Sequence, residues 1–176
     1  IILNLLLSPE FPYYGKFDGD DIYIVSNNNL DNKLDMMAKK LEVPEQNRFM
    51  FDEDHLEILY EDWEESFKEE TMDGGKPANR LIIFDDCGYS GSLKSYKKQN
   101  IVDKLICNLT AAILFNTSAK ELDLITDDMN YMAKSKDFIN MFREHTKERR
   151  SFLVVNFSNP PDKLYMNQNF QPIPWT

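Results

Sequence analysis

Asp85 and Asp86 have the clearest chemical potential in the chain, because they close the apolar run Leu81-Ile82-Ile83-Phe84. A strand ending in two carboxylates can set one of them on the water shell of Mg²⁺, a cation that prefers oxygen ligands and keeps several waters. The other can then lie beside a water attacking a phosphoryl group. Two acids that merely end a strand at solvent would leave the same trace, and the doublet alone does not separate the two readings.

Other residues offer weaker chemistry. Arg143, Arg149 or Arg150 could reach a neighbouring subunit's nucleotide and stabilise charge on a transferred phosphoryl group, but cations closing a helix already have a role there. Lys94, Lys97 and Lys98 with Tyr96 could contact DNA phosphates without reading bases; a solvated loop explains them as well. His55 lies within Asp52-Glu53-Asp54, where a helix N-terminus accounts for the acids and leaves the histidine incidental. Asp18-Gly19-Asp20-Asp21 has neither the length nor the terminal glutamate of a calcium loop and reads as a turn. Cys87 has no histidine near it in sequence that would make it a nucleophile.

Apolar strands and amphipathic helices must position these groups. Asp21-Ile22-Tyr23-Ile24-Val25-Ser26 reads as a buried strand between turns. Leu30, Leu34, Met37, Ala38 and Leu41 share one helical face, stopped by Pro44. A second helix, from about Asp54 to Glu70, carries Leu56, Tyr60, Trp63 and Phe67, with Asp52 as N-cap and a solvated acidic face. After Gly74-Gly75-Lys76-Pro77 come the Leu81 to Asp86 strand, a helical face of Ile101, Leu105 and Ile106, and a strand from Ala111 to Phe115. Ser118 with Glu121 forms a capping box for the next helix. Ser135 begins another, with Phe138, Met141 and Phe142, ending at the cationic Lys147-Glu148-Arg149-Arg150. Ser151 to Asn156 is the last strand, and the tail from Pro160 is turn-rich. Strands of this kind alternating with helices predict a three-layer α/β fold around a mainly parallel sheet covered on both faces.

The 176 residues, 42% hydrophobic and 28% charged, fit one domain of ordinary size. Such a chain buries roughly 70% of its unfolded surface and needs no disulfide or structural metal. Thirty acidic against 20 basic side chains give a net charge of −10, which argues against a general basic coat for nucleic acid. Cys87 and Cys107 are too few for a disulfide scaffold and read as reduced thiols. The opening Ile1 to Leu7 run is short of the ~20 residues a membrane span requires and lacks the flanks of a signal. It reads as a helix ended by Ser8-Pro9, and a start without methionine inside a helix points to upstream sequence that has been lost.

The order of elements adds to the carboxylates. Phosphate-gripping enzymes of the P-loop kind run strand, glycine-rich loop and helix before the carboxylate strand; here a lone helix comes first, then a strand, then further helices and the Asp85-Asp86 strand. No G-x-x-x-x-G-K-[ST] occurs in the chain. Gly74-Gly75-Lys76 is no substitute, since Pro77 stands where a hydroxyl residue is needed and a strand follows instead of a helix.

With these residues in view, the chain resembles the genome-packaging ATPases of large double-stranded DNA viruses and virophages, in the FtsK/HerA branch of P-loop NTPases. The resemblance rests on Ile2-Leu3-Asn4-Leu5-Leu6-Leu7-Ser8-Pro9-Glu10-Phe11, Ile22-Tyr23-Ile24-Val25-Ser26 and Leu81-Ile82-Ile83-Phe84-Asp85-Asp86. It continues through Ala112-Ile113-Leu114-Phe115-Asn116-Thr117-Ser118, Lys136-Asp137-Phe138-Ile139-Asn140-Met141-Phe142-Arg143 and Phe152-Leu153-Val154-Val155-Asn156-Phe157. It implies a P-loop NTPase-like fold of the RecA/ASCE type, a single ATPase-like domain over residues 1–176, with Asp85 serving the metal and Asp86 polarising the attacking water. ATP and Mg²⁺ are the implied cofactors. The implied partners are double-stranded DNA, further copies of the chain in a ring and the capsid's portal or vertex proteins, with no membrane. The implied location is the host-cell cytoplasm, the viral assembly site or the virion. Two departures accompany it. The family's phosphate loop would precede Ile1 and is missing, and only Cys107-Asn108-Leu109-Thr110 stand where the family carries another strand with its polar sensor, which implies a segment missing near 107–111, so no sensor residue is assigned. The competing reading is a non-enzymatic module, a degenerate P-loop fold that holds a protein partner with its acidic helix and tail.

Overall fold

A computed structural model of the chain describes residues 2–26, 32–72, 74–85, 101, 104–105 and 108–175, without the side chains of 120, 121, 124 and 128. The chain divides into two compact units, Ile1–Val102 and Asp103–Thr176.

The first unit contains α1 (Ile2–Leu7), β1 (Ile22–Ser26), α2 (Asn32–Lys40), β2 (Arg48–Met50), α3 (Glu53–Met72) and β3 (Leu81–Asp85). Its strands pair in the order β2-β1-β3, and both pairings are parallel. One helix separates β1 from β2 and one separates β2 from β3. A single helix carries the chain back to the end of the sheet where the previous strand began, so the next strand runs the same way.

Strand periodicity distributes the side chains of β1 to two helical layers. Ile22 and Ile24 join Leu6 of α1, Leu34, Met37 and Ala38 of α2, and Ile83 of β3 in one buried cluster. Tyr23, on the opposite face, meets Trp63 of α3 edge-on, with ring centroids 5.2 Å apart. Helices therefore cover both faces of a three-stranded parallel sheet, the α/β layout that the strand and helix patterns predict.

Strand β2 is absent from the sequence reading. Arg48-Phe49-Met50 is too short to establish an alternating pattern; it becomes a strand because Ile24, Val25 and Ser26 of β1 pair with it. The turn before it is fixed by the buried Asn47, whose Nδ2 donates to the carbonyls of Asp20 at 2.9 Å and Ile22 at 3.2 Å. Gly19, within the Asp18 to Asp21 turn, packs so closely that an added Cβ would lie 2.3 Å from the Leu41 carbonyl oxygen.

The second unit contains β4 (Ala111–Phe115), α4 (Ala119–Met129), α5 (Ser135–Thr146), β5 (Phe152–Asn156) and β6 (Tyr165–Met166). Its order is β4-β5-β6, antiparallel throughout. This corrects the expectation that the strands 111–115 and 151–156 run parallel within one sheet. Two helices in succession, α4 and α5, return the chain to the end of the sheet it left, which reverses the next strand. The short connection from β5 to β6 leaves no room for a crossover and imposes reversal again.

One face of this sheet supplies Ala112, Leu153, Val155 and Tyr165 to a core completed by Leu122 and Met129 of α4 and by Phe138 and Phe142 of α5. Tyr165 is fully buried. Its hydroxyl donates to the Met129 carbonyl at 2.8 Å and accepts the Tyr131 N–H at 2.8 Å, which ties the tail to the end of α4. Helix α4 starts directly after Ser118, whose carbonyl accepts the Leu122 N–H at 2.9 Å; the Glu121 side chain expected in the capping box is outside the described atoms.

Candidate functional site

In a parallel sheet every strand ends on the same edge, and that edge is where ligands gather in open α/β folds. Ser26 pairs in register with Met50 on one side and with Asp85 on the other. The strand ends Met50, Ser26 and Asp85 therefore line up across the C-terminal edge of β2-β1-β3. Ser26 and Asp85 also share a sheet face. They follow Ile24 and Ile83 by two residues, so they lie on the side covered by α1 and α2.

Ser26 is buried, with 2% of its surface exposed, and Asp85 is half-buried. The Ser26 hydroxyl donates to Asp85 Oδ2 at 3.5 Å. Asp85, expected from sequence to serve a metal, thus stands at the C-terminal edge with a hydroxyl beside it. Ser26 had no role in the sequence reading. Its signal was available in the hydroxyl that closes the run Ile22-Tyr23-Ile24-Val25.

The Met50 side of the edge has a structural use. Asp52 Oδ1 accepts the His55 N–H at 2.8 Å, so Asp52 caps α3 as its position predicts. The His55 ring stacks on Phe49, centroids 4.0 Å apart and planes 16° from parallel. That contact gives the histidine a packing role.

The glycine-rich segment lies at the other end of β3. Glu70 of α3 reaches over it, accepting the Ala78 N–H on Oε2 at 2.7 Å and the Arg80 guanidinium on Oε1 at 2.6 Å. The Ala78 N–H, with Arg80 adding to it, holds the Glu70 carboxyl below its ordinary range. Gly74 has φ +73°, and a Cβ on Gly75 would lie 2.2 Å from the Glu70 carbonyl oxygen. These glycines serve a clasp between helix and strand. Nearby, burial pushes the Asp21 carboxyl up, against the opposing pull of Arg80.

The remaining candidates divide by location. Asp86, Cys87, Lys94, Tyr96, Lys97, Lys98 and Cys107 are outside the described residues. Arg143, Arg149 and Arg150 are exposed in the second unit. Arg150 has φ +76°, a left-handed conformation uncommon outside glycine, in the turn between α5 and β5. Lys147 pairs with Glu144 at 2.6 Å.

The donors beside Asp85 suit a hard cation. Ser26 and Asp85 offer only oxygen, and Mg²⁺ commonly takes one or two carboxylates with water and phosphate oxygens completing its shell. Among the described residues no group of three or more His, Cys, Asp or Glu could hold a metal by itself. No helix of the described residues is long and apolar enough to cross a membrane. Comparison of the chain with protein-family models, with curated proteins and with solved structures finds no match.

Proposed function

We propose that the chain belongs to an ATP-dependent double-stranded DNA translocase that packages a viral genome into capsids. The observation that carries this reading is the carboxylate of Asp85 at the C-terminal edge of a parallel sheet, on the face that α1 also covers. The class of motor, its viral setting, its ring of copies and its capsid partner rest on the sequence resemblance.

In this mechanism Asp85 presents a carboxylate oxygen toward the site of the cation, held near Ser26. Asp86 orients a water so that its oxygen attacks the terminal phosphorus of ATP and accepts or relays the proton that the water loses. The bond to the bridging oxygen breaks, giving ADP and phosphate. Bound Mg²⁺ would neutralise charge on the phosphate oxygens as that bond breaks.

The test uses the full-length protein. Asp86→Asn should lower ATP turnover by about 10²-fold or more while nucleotide binding changes little. Unchanged turnover would remove Asp86 from the mechanism. The competing reading, a non-enzymatic interaction module, draws on α3, whose outer face exposes Asp54, Glu61, Glu65 and Glu69. It is favoured if the full-length protein neither binds nor hydrolyses ATP.

A further inference from the structure

We infer that Ser26 is a positioning residue for Asp85: its hydroxyl sets the rotation of the carboxylate and so the geometry in which Asp85 meets Mg²⁺. This rests on the nucleotide-hydrolysing reading of the site and deepens it.

A hydroxyl at the end of the central strand is costly to bury unless it is hydrogen-bonded. Ser26 is 2% exposed, and the partner in register beside it is Asp85, with Oγ 3.5 Å from Oδ2. The strand pairing fixes the separation of the two backbones through five consecutive residue pairs, from Ile22 with Leu81 to Ser26 with Asp85. The two side chains therefore meet because of the sheet itself, with no loop movement required. A carboxylate can turn about its last bond, and a donor on one oxygen restricts that turn. The 3.5 Å separation is at the long end for such a bond. Partners that orient a metal ligand contribute to metal affinity although they never touch the metal.

Mg²⁺ titrations of the full-length protein read the effect twice, as ATP hydrolysis at saturating nucleotide and as direct calorimetric binding of Mg²⁺ in the presence of a non-hydrolysable ATP analogue. Ser26→Ala should raise the Mg²⁺ concentration for half-maximal turnover roughly tenfold, with maximal turnover recovered at high Mg²⁺ and the melting temperature little changed. Ser26→Thr, which keeps the hydroxyl on a β-branched residue suited to a strand, should restore the wild-type requirement. In an Asp85→Asn background, Ser26→Ala should add nothing, since the two act as one unit. If Asp85→Asn alters the Mg²⁺ requirement and Ser26→Ala leaves it within twofold, the positioning role is overturned while the site reading stands. If Asp85→Asn itself changes nothing, both are overturned.

Discussion

Sheets β2-β1-β3 and β4-β5-β6 are built from short strands with the same aliphatic and aromatic residues, and each closes a strand with a polar side chain, Asp85 in one and Asn156 in the other. In the parallel sheet the strand ends coincide, so Asp85 lies beside Ser26 on a shared edge. In the antiparallel sheet each strand end lies beside a strand start, and Asn156 pairs with Ala111. Its Oδ1 accepts the Ser158 N–H at 3.0 Å and serves the turn that reverses the chain. The same kind of residue becomes a candidate for chemistry or a turn former according to strand direction.

Charge separates the units as well. Ile1–Val102 contains 21 acidic and 11 basic side chains and Asp103–Thr176 contains nine of each, so the whole net charge belongs to the unit with the parallel sheet. Helix α3 accounts for most of it, with nine acids against Lys68. A polyanion such as DNA would be repelled from α3 and would meet less opposition from residues 103–176.

The contrast can be broken most directly by exchanging the two strand-end residues. Asp85→Asn should cost about 10²-fold or more in Mg²⁺-dependent ATP turnover, whereas Asn156→Ala should leave turnover intact; equal losses would erase the distinction. The second unit should instead be sensitive in its core. Phe138→Ala, at a fully buried position against Phe142 and Tyr165, should lower stability by about 3–5 kcal/mol in denaturant unfolding. Tyr165→Phe leaves the Met129 carbonyl and the Tyr131 N–H without the hydroxyl that serves both, a loss of about 1–3 kcal/mol by the same measurement. Arg150→Gly should act in the opposite sense. It relieves a left-handed backbone and should stabilise by about 1 kcal/mol, less whatever the added glycine freedom costs.

A last and smaller effect concerns acid. The lowered carboxyl of Glu70 contributes stability that is present above its unfolded pKa and is lost as pH falls through its folded value. Glu70→Gln should therefore flatten the decline of melting temperature below about pH 4. An unchanged acid limb would show that the clasp between α3 and β3 contributes no measurable linkage.

Strands β1 and β3 were legible because a run of four or five apolar residues between turn formers admits few other structures. Helix α3 was legible from the spacing of Leu56, Tyr60 and Trp63 and from the Asp52 cap. The direction of β4 against β5 was also written in the sequence, in the two successive helices between them, but apolar strand composition reports burial and says nothing of direction. Strand β2 could not be read, because three residues carry no period and its pairing depends on β1. At the site, Asp85 stood out through its charge after an apolar run. Ser26 did not, because a serine ending a strand is ordinary until the register places it beside a carboxylate.

The chain's two tryptophans fall one to each unit, Trp63 against Tyr23 in the first and Trp175 against Tyr165 in the second, with ring centroids 5.2 and 5.5 Å apart. Each indole is thus a built-in optical probe of its own neighbourhood. Exchanging either one for phenylalanine would leave a fluorophore that follows one half alone, so that the loss of each could be timed separately during unfolding.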